Sequence, residues 1–171
     1  MKQLLLALTI LSTCPVFGQS SHPNGDAQIK VGPMNLTWTY EDEYIVFTVQ
    51  SPDMGWVVLG INDRDDIVGA TLYSGGYRTG AGTYFSERLV TSLGKNQSLK
   101  ELGLTERVTD FAVEENSSKG TKLKIRMPYH AKGGKEYDLS KGQEHWIILA
   151  YSVSDDADHH SRFRKHVKVK L

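Results

Sequence analysis

The chain has 171 residues, and its 20 lysines and arginines balance 20 aspartates and glutamates to a formal net charge of zero. This balance gives no electrostatic reason to expect nucleic acid or an anionic membrane as a partner. The single cysteine, Cys14, lies in the N-terminal segment. The rest of the chain therefore excludes disulfides, thiolate catalysis and cysteine-based metal sites.

The N-terminal segment has the pattern of a secretory signal peptide. A positively charged start precedes an apolar run at residues 4–11 that is too short to span a bilayer, and a small residue, Gly18, follows. We expect residues 1–18 to be removed on export, which makes the mature chain secreted or periplasmic. A buried N-terminal strand is the alternative interpretation. No later apolar run approaches the length of a membrane span.

Alternation with a period of two residues dominates the rest of the chain and predicts strands that are buried on one face. It occurs in "NLTWTY", "EYIVFTVQ", "TKLKIRMPY" and "HVKVKL". Two segments, "GWVVLGI" and "HWIILAYS", are apolar on both faces, as expected of central strands. Turn signals separate the strands at Glu41-Asp42, Ser51-Pro52-Asp53, Ser74-Gly75-Gly76, Ser117-Ser118-Lys119-Gly120 and Lys132-Gly133-Gly134.

One short helix is compatible with the sequence. Ser98 and Glu101 have the spacing of a capping box, and Gly103 is placed to end the helix. Many short strands with glycine- and serine-rich turns otherwise predict an all-β fold, an antiparallel β-sandwich of the immunoglobulin-like two-sheet kind. The predicted organisation is one domain over residues 19–171, with its core from about residue 26.

The motifs "GWVVLGIN…DIVGATLY" resemble the signature of the DOMON family, in which Trp-x-x-Leu-Gly is followed by a short polar loop and Gly-Ala. The segments "IRMPY…EYDLSKGQEHWIILAYS…DHHS…KHVKVKL" resemble the second half of that family's pattern. The resemblance covers roughly residues 34–171. It implies a sandwich of about eleven strands that binds haem or a sugar outside the cytoplasm, often joined to an oxidoreductase or a membrane cytochrome.

In the haem-binding branch of that family, the resemblance implies two ligands to a b-type haem. One is a histidine in the loop before the final strand, which corresponds here to His160, with His159 next to it. The other is a methionine just after the Leu-Gly strand, but this sequence reads "INDRDDIV" at residues 61–68. We therefore expect either no haem or a weak, incompletely coordinated site, with Met54, Met34 or His159 as the second ligand.

Other residues are candidates for ligand contacts on their own chemistry. Neutral imidazole binds iron and other metals, and Asp155, Asp156 or Asp158 is placed to orient a histidine of the pair, although a polar turn explains the same residues. Arg162 and Arg164 are candidates for haem propionates or another anion, or for a charged strand edge.

Aromatic residues provide candidate surfaces for a sugar. Tyr73 and Tyr77 flank the predicted Gly75-Gly76 turn and are expected to be exposed platforms, whereas Trp38 and Trp56 lie in strong strand patterns. The remaining candidates have weaker support: calcium at the acidic residues 62–66, or an iron ligand among Met127, His130, His145 and His166.

The sequence contains no nucleophile elbow, HExxH motif or phosphate loop. We therefore predict a non-catalytic, exported DOMON-type module that binds a small ligand such as haem or a sugar. The alternative is a b-type haem electron-transfer domain that serves an extracytoplasmic redox partner.

Overall fold

The computed structural model describes residues 20–21, 27–131, 136–156 and 160–171, and these form two six-stranded antiparallel sheets. The described residues contain no helix, and hence none that could cross a membrane. The prediction of an all-β sandwich is confirmed. The strands are β1 Ser20–Ser21, β2 Ala27–Val31, β3 Met34–Glu41, β4 Tyr44–Gln50, β5 Val57–Asn62, β6 Thr71–Arg78, β7 Gly82–Ser92, β8 Lys95–Ser98, β9 Asp110–Asn116, β10 Gly120–Pro128, β11 Glu144–Tyr151 and β12 Phe163–Lys170.

We call the two sheets A and B. Sheet A has the strand order β1-β2-β3-β4-β10-β9, and sheet B has the order β12-β11-β5-β6-β7-β8. Because β11 runs antiparallel to both β5 and β12, the start of β5, the end of β11 and the start of β12 lie at the same end of sheet B. This geometry decides which loops are neighbours.

The core lies between the sheets and follows the alternation in the sequence. In sheet A the inward side chains include Trp38, Phe47 and Leu123, which are at most 3% exposed. In sheet B they include Leu59 and Leu149, both completely buried. Alternate side chains of a strand point to opposite faces, so one face of each sheet carries this apolar set.

The predicted turn at Ser74-Gly75-Gly76 is wrong, because these residues lie within the continuous strand β6. The two glycines serve opposite faces of that strand. A Cβ at Gly75 would lie 2.9 Å from side-chain atoms of Leu123 and Val113 in sheet A, so this glycine lets the sheets approach. A Cβ at Gly76 would lie 3.1 Å from the Cα of Trp56, on the outer face of sheet B.

The short helix that the sequence allows after Ser98 does not form, although its capping box does. The Ser98 N–H donates to the Glu101 carboxylate at 2.9 Å, and the Glu101 N–H donates to the Ser98 hydroxyl at 3.2 Å. The turn closes through the N–H of Leu104 on the carbonyl of Leu99 and does not continue. A single turn fixes the backbone of several residues for few hydrogen bonds, and a stable helix needs further turns. The predicted signal peptide lies outside the described residues.

Two buried charged side chains fix the long connection between β8 and β9. Glu87, on the inward face of β7, is 2% exposed and accepts the backbone N–H groups of Arg107 and Val108 at 2.9 and 2.8 Å. The Arg107 guanidinium donates to the carbonyl oxygens of Pro128, Tyr129 and Tyr137. Burial raises the pKa of Glu87, and the two N–H donors act against that rise. Hydrogen bonds thus join the connection to both sheets.

We predict that Glu87→Ala lowers the free energy of unfolding by about 2–4 kcal/mol, because two backbone donors beside the core lose their acceptor. Urea denaturation measures the change. The control is Glu101→Ala, which removes an exposed carboxylate that also accepts a backbone N–H, and it should have a much smaller effect. Equal losses in the two variants would show that burial of Glu87 is not what matters.

Candidate ligand-binding cleft

The loops that carry Met54 and His160 meet at one end of the sandwich. Residues 51–56 connect β4 to β5, and residues 152–162 connect β11 to β12. The backbone N–H of Ser152 donates to the carbonyl of Trp56 at 3.0 Å, and the N–H of Trp56 donates to Ser154 at 3.3 Å. Gly55 completes the contact, since a Cβ there would lie 2.2 Å from the carbonyl oxygen of Ser152.

Two outward positions on sheet B are occupied by glycines and therefore carry no side chain. Gly60 on β5 and Gly76 on β6 both lie in outward positions. Ile148 and Leu72 close over Gly60, where a Cβ would approach them to 2.9 and 3.0 Å. The two glycines therefore allow larger neighbours to fold down onto the sheet surface.

A cleft of about 450 Å³ opens on this outer face, and we call it the Trp56 cleft. In the pairing of β6 with β7, outward residues lie directly opposite each other, such as Ser74 opposite Ser86. These paired side chains form one wall of the cleft. Its volume lies in the range of small-molecule sites in proteins. The cleft is lined by Trp56, Leu72, Ser74, Arg78, Tyr84, Phe85, Ser86, Arg88 and Asn96.

Two aromatic side chains beside the cleft carry buried polar atoms. Within the described residues, neither the Trp56 indole N–H nor the Tyr84 hydroxyl has a hydrogen-bond partner. Arg78 covers the ring of Tyr84 at 4.4 Å, and burial raises the pKa of Tyr84 to about 12. Tyr84 is therefore a neutral phenol at physiological pH. Both polar atoms are buried, so a ligand reaches them only when neighbouring atoms move.

The polar part of the lining is already oriented. The Arg88 guanidinium donates through Nε to the side-chain oxygen of Asn96 and through Nη2 to the Asn96 carbonyl at 3.1 Å. The hydroxyls of Ser74 and Ser86 form a hydrogen bond of 2.9 Å across the two strands. Side chains held in this way are preorganised to receive a ligand.

Of the predicted ligand-binding residues that the structure describes, none lines this cleft. His160, Arg162 and Arg164 are exposed, and Arg164 takes an outward position on β12 opposite Ala150. Tyr77 is 41% exposed and Met54 is 45% exposed, both at the end of the sandwich where the cleft opens. His159 lies outside the described residues.

The prediction that Tyr73 is an exposed platform is wrong. Tyr73 is 2% exposed and belongs to the core between the sheets, where burial raises its pKa. The physical reason is the parity of β6. Because residues 74–76 continue the strand, Tyr73 points inward, and it pairs across the sheet with the buried Glu87.

The ligand position implied by the family resemblance lies away from His160. Residues 63–70 follow β5, and His160 precedes β12, so they lie at opposite ends of sheet B. A strand the length of β5 is about 20 Å long. Of the alternatives, Met54 lies at the same end as His160, whereas Met34 and Met127 are completely buried in the core.

The nine lining residues do not fit an axially ligated haem. They include no histidine, methionine or cysteine, and Tyr84 is held as a neutral phenol. Met54 and His160 are on loops at the end of the cleft and not in its lining. Among the described residues, no group of three or more histidine, cysteine, aspartate or glutamate side chains is arranged to hold a metal ion.

The acidic loop at residues 62–66 uses its polar groups internally. The Asn62 amide donates to the carbonyl of Asp66 at 2.6 Å, and the Asp66 carboxylate accepts the N–H of Val68 at 2.9 Å. Asp65 lies 2.9 Å from Nδ1 of His166 on the outer face of β12. The loop is thus bound to the sheet, and its oxygens do not converge on a calcium position.

His145 is a buried histidine at the opposite end from the cleft. Its Nε2 is 2.8 Å from the carbonyl oxygen of Asp138, and within the described residues its buried Nδ1 has no partner. The carbonyl fixes the proton on Nε2. Burial lowers the pKa of His145, and the bond to Asp138 only partly opposes this.

The chain is similar to known proteins both in structure and in sequence. The structure resembles the cytochrome domain of cellobiose dehydrogenase from Myriococcum thermophilum, with a TM-score of 0.51, 10% identity, and coverage of 90% of this chain and 88% of that one. At this identity the likeness shows the fold alone. No family model matches the chain.

The sequence is 30% identical over 139 residues to DBH-like monooxygenase protein 2 of Mus musculus. The match covers 78% of this chain but only 21% of that protein, so the chain corresponds to about a fifth of its relative. The DOMON resemblance found in the sequence is thereby supported at the level of the fold.

The residues that build the cleft were mostly missed by sequence reasoning. Arg78, Tyr84, Arg88 and Asn96 come from three strands, and only the register of β6, β7 and β8 brings them together. One signal was available. In "TLYSGGYR", an apolar and aromatic set alternates with Ser74, Gly76 and Arg78, which predicts a second face with small and charged residues.

We predict that His145 makes the fold less stable in mild acid. Below the ordinary histidine pKa of about 6.5, the unfolded state takes up a proton that buried His145 resists, so stability is lost as pH falls. His145→Gln should reduce the difference between unfolding free energies measured at pH 7.5 and at pH 5.5. His160→Gln, at an exposed loop position, is the control and should leave the difference unchanged. An unaltered difference in His145→Gln would contradict the assignment.

Proposed function

We propose that the chain is an exported, non-catalytic module of DOMON type that binds a small ligand in the Trp56 cleft. The observation that carries the proposal is the cleft itself, an opening of about 450 Å³ on the outer face of sheet B with aromatic walls and oriented polar side chains. Small-molecule sites in proteins are usually concave with a few fixed polar groups. This cleft has more polar than apolar surface, which favours a ligand that carries polar groups.

Two further observations support a binding module over an enzyme. The lining contains arginines, serines and an asparagine but no acid or histidine, so no general acid–base pair faces a ligand there. The DBH-like relative is about five times longer than the matched region. A segment of that size within a longer protein is consistent with a binding module that serves a neighbouring domain.

A b-type haem electron-transfer domain with an extracytoplasmic redox partner is the second candidate. It is favoured by the shared fold with a cytochrome domain and by the joined loops that carry Met54 and His160. The lining of the cleft does not favour it, because no lining residue is an axial ligand. We therefore assign no electron-transfer step to any residue.

We predict that Ser86→Phe abolishes or weakens ligand binding by at least about tenfold, because an aromatic ring then fills an outward position inside the cleft. The probes are haemin and an array of neutral and acidic oligosaccharides, with affinities measured by calorimetry. Lys124→Phe places the same ring on the outer face of sheet A and should bind like the parent. If Ser86→Phe binds normally, the ligand site lies elsewhere.

The haem alternative has its own prediction. If haem is ligated at the loop end, haemin added to the mature chain should give a Soret band that sharpens and moves on dithionite reduction. His160→Ala should abolish that band while the melting temperature stays unchanged, since an exposed imidazole contributes little buried area. Met54→Ala should alter the reduced spectrum. A parent chain without a Soret shift would remove the alternative.

A further inference from the structure

We propose that the Trp56 cleft selects ligands that carry a carboxylate on a ring, with an acidic saccharide as the fitting class and Arg88 as the residue that receives the carboxylate. This inference rests on the proposed binding function and deepens it. The family resemblance left the ligand open between haem and sugar, and the side chains of the cleft narrow that choice by charge.

The charge of the lining is one-sided. Arg78 and Arg88 are its two cations, and none of the nine residues is acidic. In the part of the chain that the structure describes, the ion pairs involve other basic residues: Arg64, Lys122, Arg126, His130, His166 and Lys168. Within the described residues neither cleft arginine forms an ion pair, although the charge of Arg88 reaches the exposed Glu101 carboxylate and lowers its pKa after the larger effect of the Ser98 hydrogen bonds. A carboxylate on the ligand can therefore pair with either arginine.

The geometry of Arg88 suits a carboxylate better than Arg78 does. Asn96 holds Arg88 through Nε and Nη2, which fixes the plane of the guanidinium. A guanidinium has five N–H donors, and Asn96 accepts one from Nε and one from Nη2, so three donors remain beyond this contact. Arg88 is half-buried within the wall. An oriented guanidinium loses less side-chain entropy when it binds a planar carboxylate.

Acidic residues near Arg78 also favour a ligand whose carboxylate lies at Arg88. Arg78 lies over Tyr84. Burial raises the pKa of Tyr84, the charge of Arg78 opposes the rise, and the charges of Asp155 and Asp156 add to it. Asp155 accepts a hydrogen bond from Thr79, next to Arg78, at 3.3 Å. Two aspartates repel a ligand carboxylate at the Arg78 end, whereas one exposed carboxylate, Glu101, acts near Arg88. The Arg88 end is therefore the more favourable position for the carboxylate of a ligand.

The remaining lining provides for the rest of a sugar ring. Leu72 and Tyr84 are partly exposed and offer apolar surface for the face of the ring, and the hydroxyls of Ser74 and Ser86 lie between the two arginines along the strands. Hydroxyl-rich rings with one apolar face are bound by aromatic surface together with short polar side chains. Haem also carries carboxylates on a ring, so the experiment must separate the two sources.

The experiment measures affinities for two matched pairs: tetragalacturonate with its methyl ester, and haemin with haemin dimethyl ester. In each pair only the carboxylates differ. Calorimetry on the mature chain is repeated for Arg88→Gln, Arg88→Lys and Asn96→Ala. The control is Arg126→Gln, because Arg126 lies over the ring of Tyr44 at 3.3 Å on sheet A and is far from the cleft. Circular dichroism and melting confirm that each variant is folded.

We expect tetragalacturonate to bind at least about tenfold more tightly than its ester, which is the strength of one charge-assisted pair. Arg88→Gln should remove this preference, Arg88→Lys and Asn96→Ala should reduce it, and Arg126→Gln should keep it.

A preference confined to the haemin pair would overturn the saccharide assignment. Equal binding of acid and ester, or equal losses in Arg88→Gln and Arg126→Gln, would overturn the inference and leave the binding function standing. If neither pair binds but a neutral oligosaccharide of the array does, the inference fails and the binding function stands. If no probe of either set binds, both fail.

Discussion

The architecture depends on one constraint, which is that the centre of β6 has no side chain on either face. Gly75 lets sheet A approach within contact distance through Leu123 and Val113. Gly76 lets Trp56 and Tyr84 settle on the outer face of the same strand. One glycine thus closes the core and the other shapes the cleft. A side chain at either position would separate surfaces that the rest of the structure holds together.

The hydrogen bonds of Glu87 and Arg107 join the β8–β9 connection to both sheets. Glu87 is the inward neighbour of the outward residues Ser86 and Arg88, and it binds the β8–β9 connection from inside the core. The backbone donors of Arg107 and Val108 would lose their acceptor if Glu87 moved, so these bonds help to hold β7 in the position that its pairing with β6 and β8 gives it. The side chains that β7 presents to the cleft are therefore held by the core beneath them.

The sequence predicts the fold well and the site poorly, for a physical reason. Alternation is local, so it correctly placed core residues such as Trp38, Phe47 and Leu123. The two glycines of β6 have the composition of a turn, and only the packing of the second sheet shows that they permit close approach. Tyr73 was misplaced by the same error. Arg88 and Asn96 form a pair only through strand register, which a single sequence does not specify.

The geometry also clarifies the role of the loop histidine. His160 and Met54 share one end of the sandwich because β5, β11 and β12 alternate in direction. The lining of the Trp56 cleft, however, consists of arginine, serine, asparagine and aromatic residues. A ligand in the proposed site would contact these groups, and neither Met54 nor His160 is among the lining residues.

The most direct test of the cleft is the indole N–H signal of Trp56 in a nitrogen-15 correlation spectrum. The chain has three tryptophans, and Trp56→Phe assigns the signal. Trp56 borders the cleft, whereas Trp38 lies in the core between the sheets. On addition of a ligand that binds, we predict that the Trp56 signal moves and the Trp38 signal does not. Binding that leaves the Trp56 signal in place would contradict a ligand site on the outer face of sheet B.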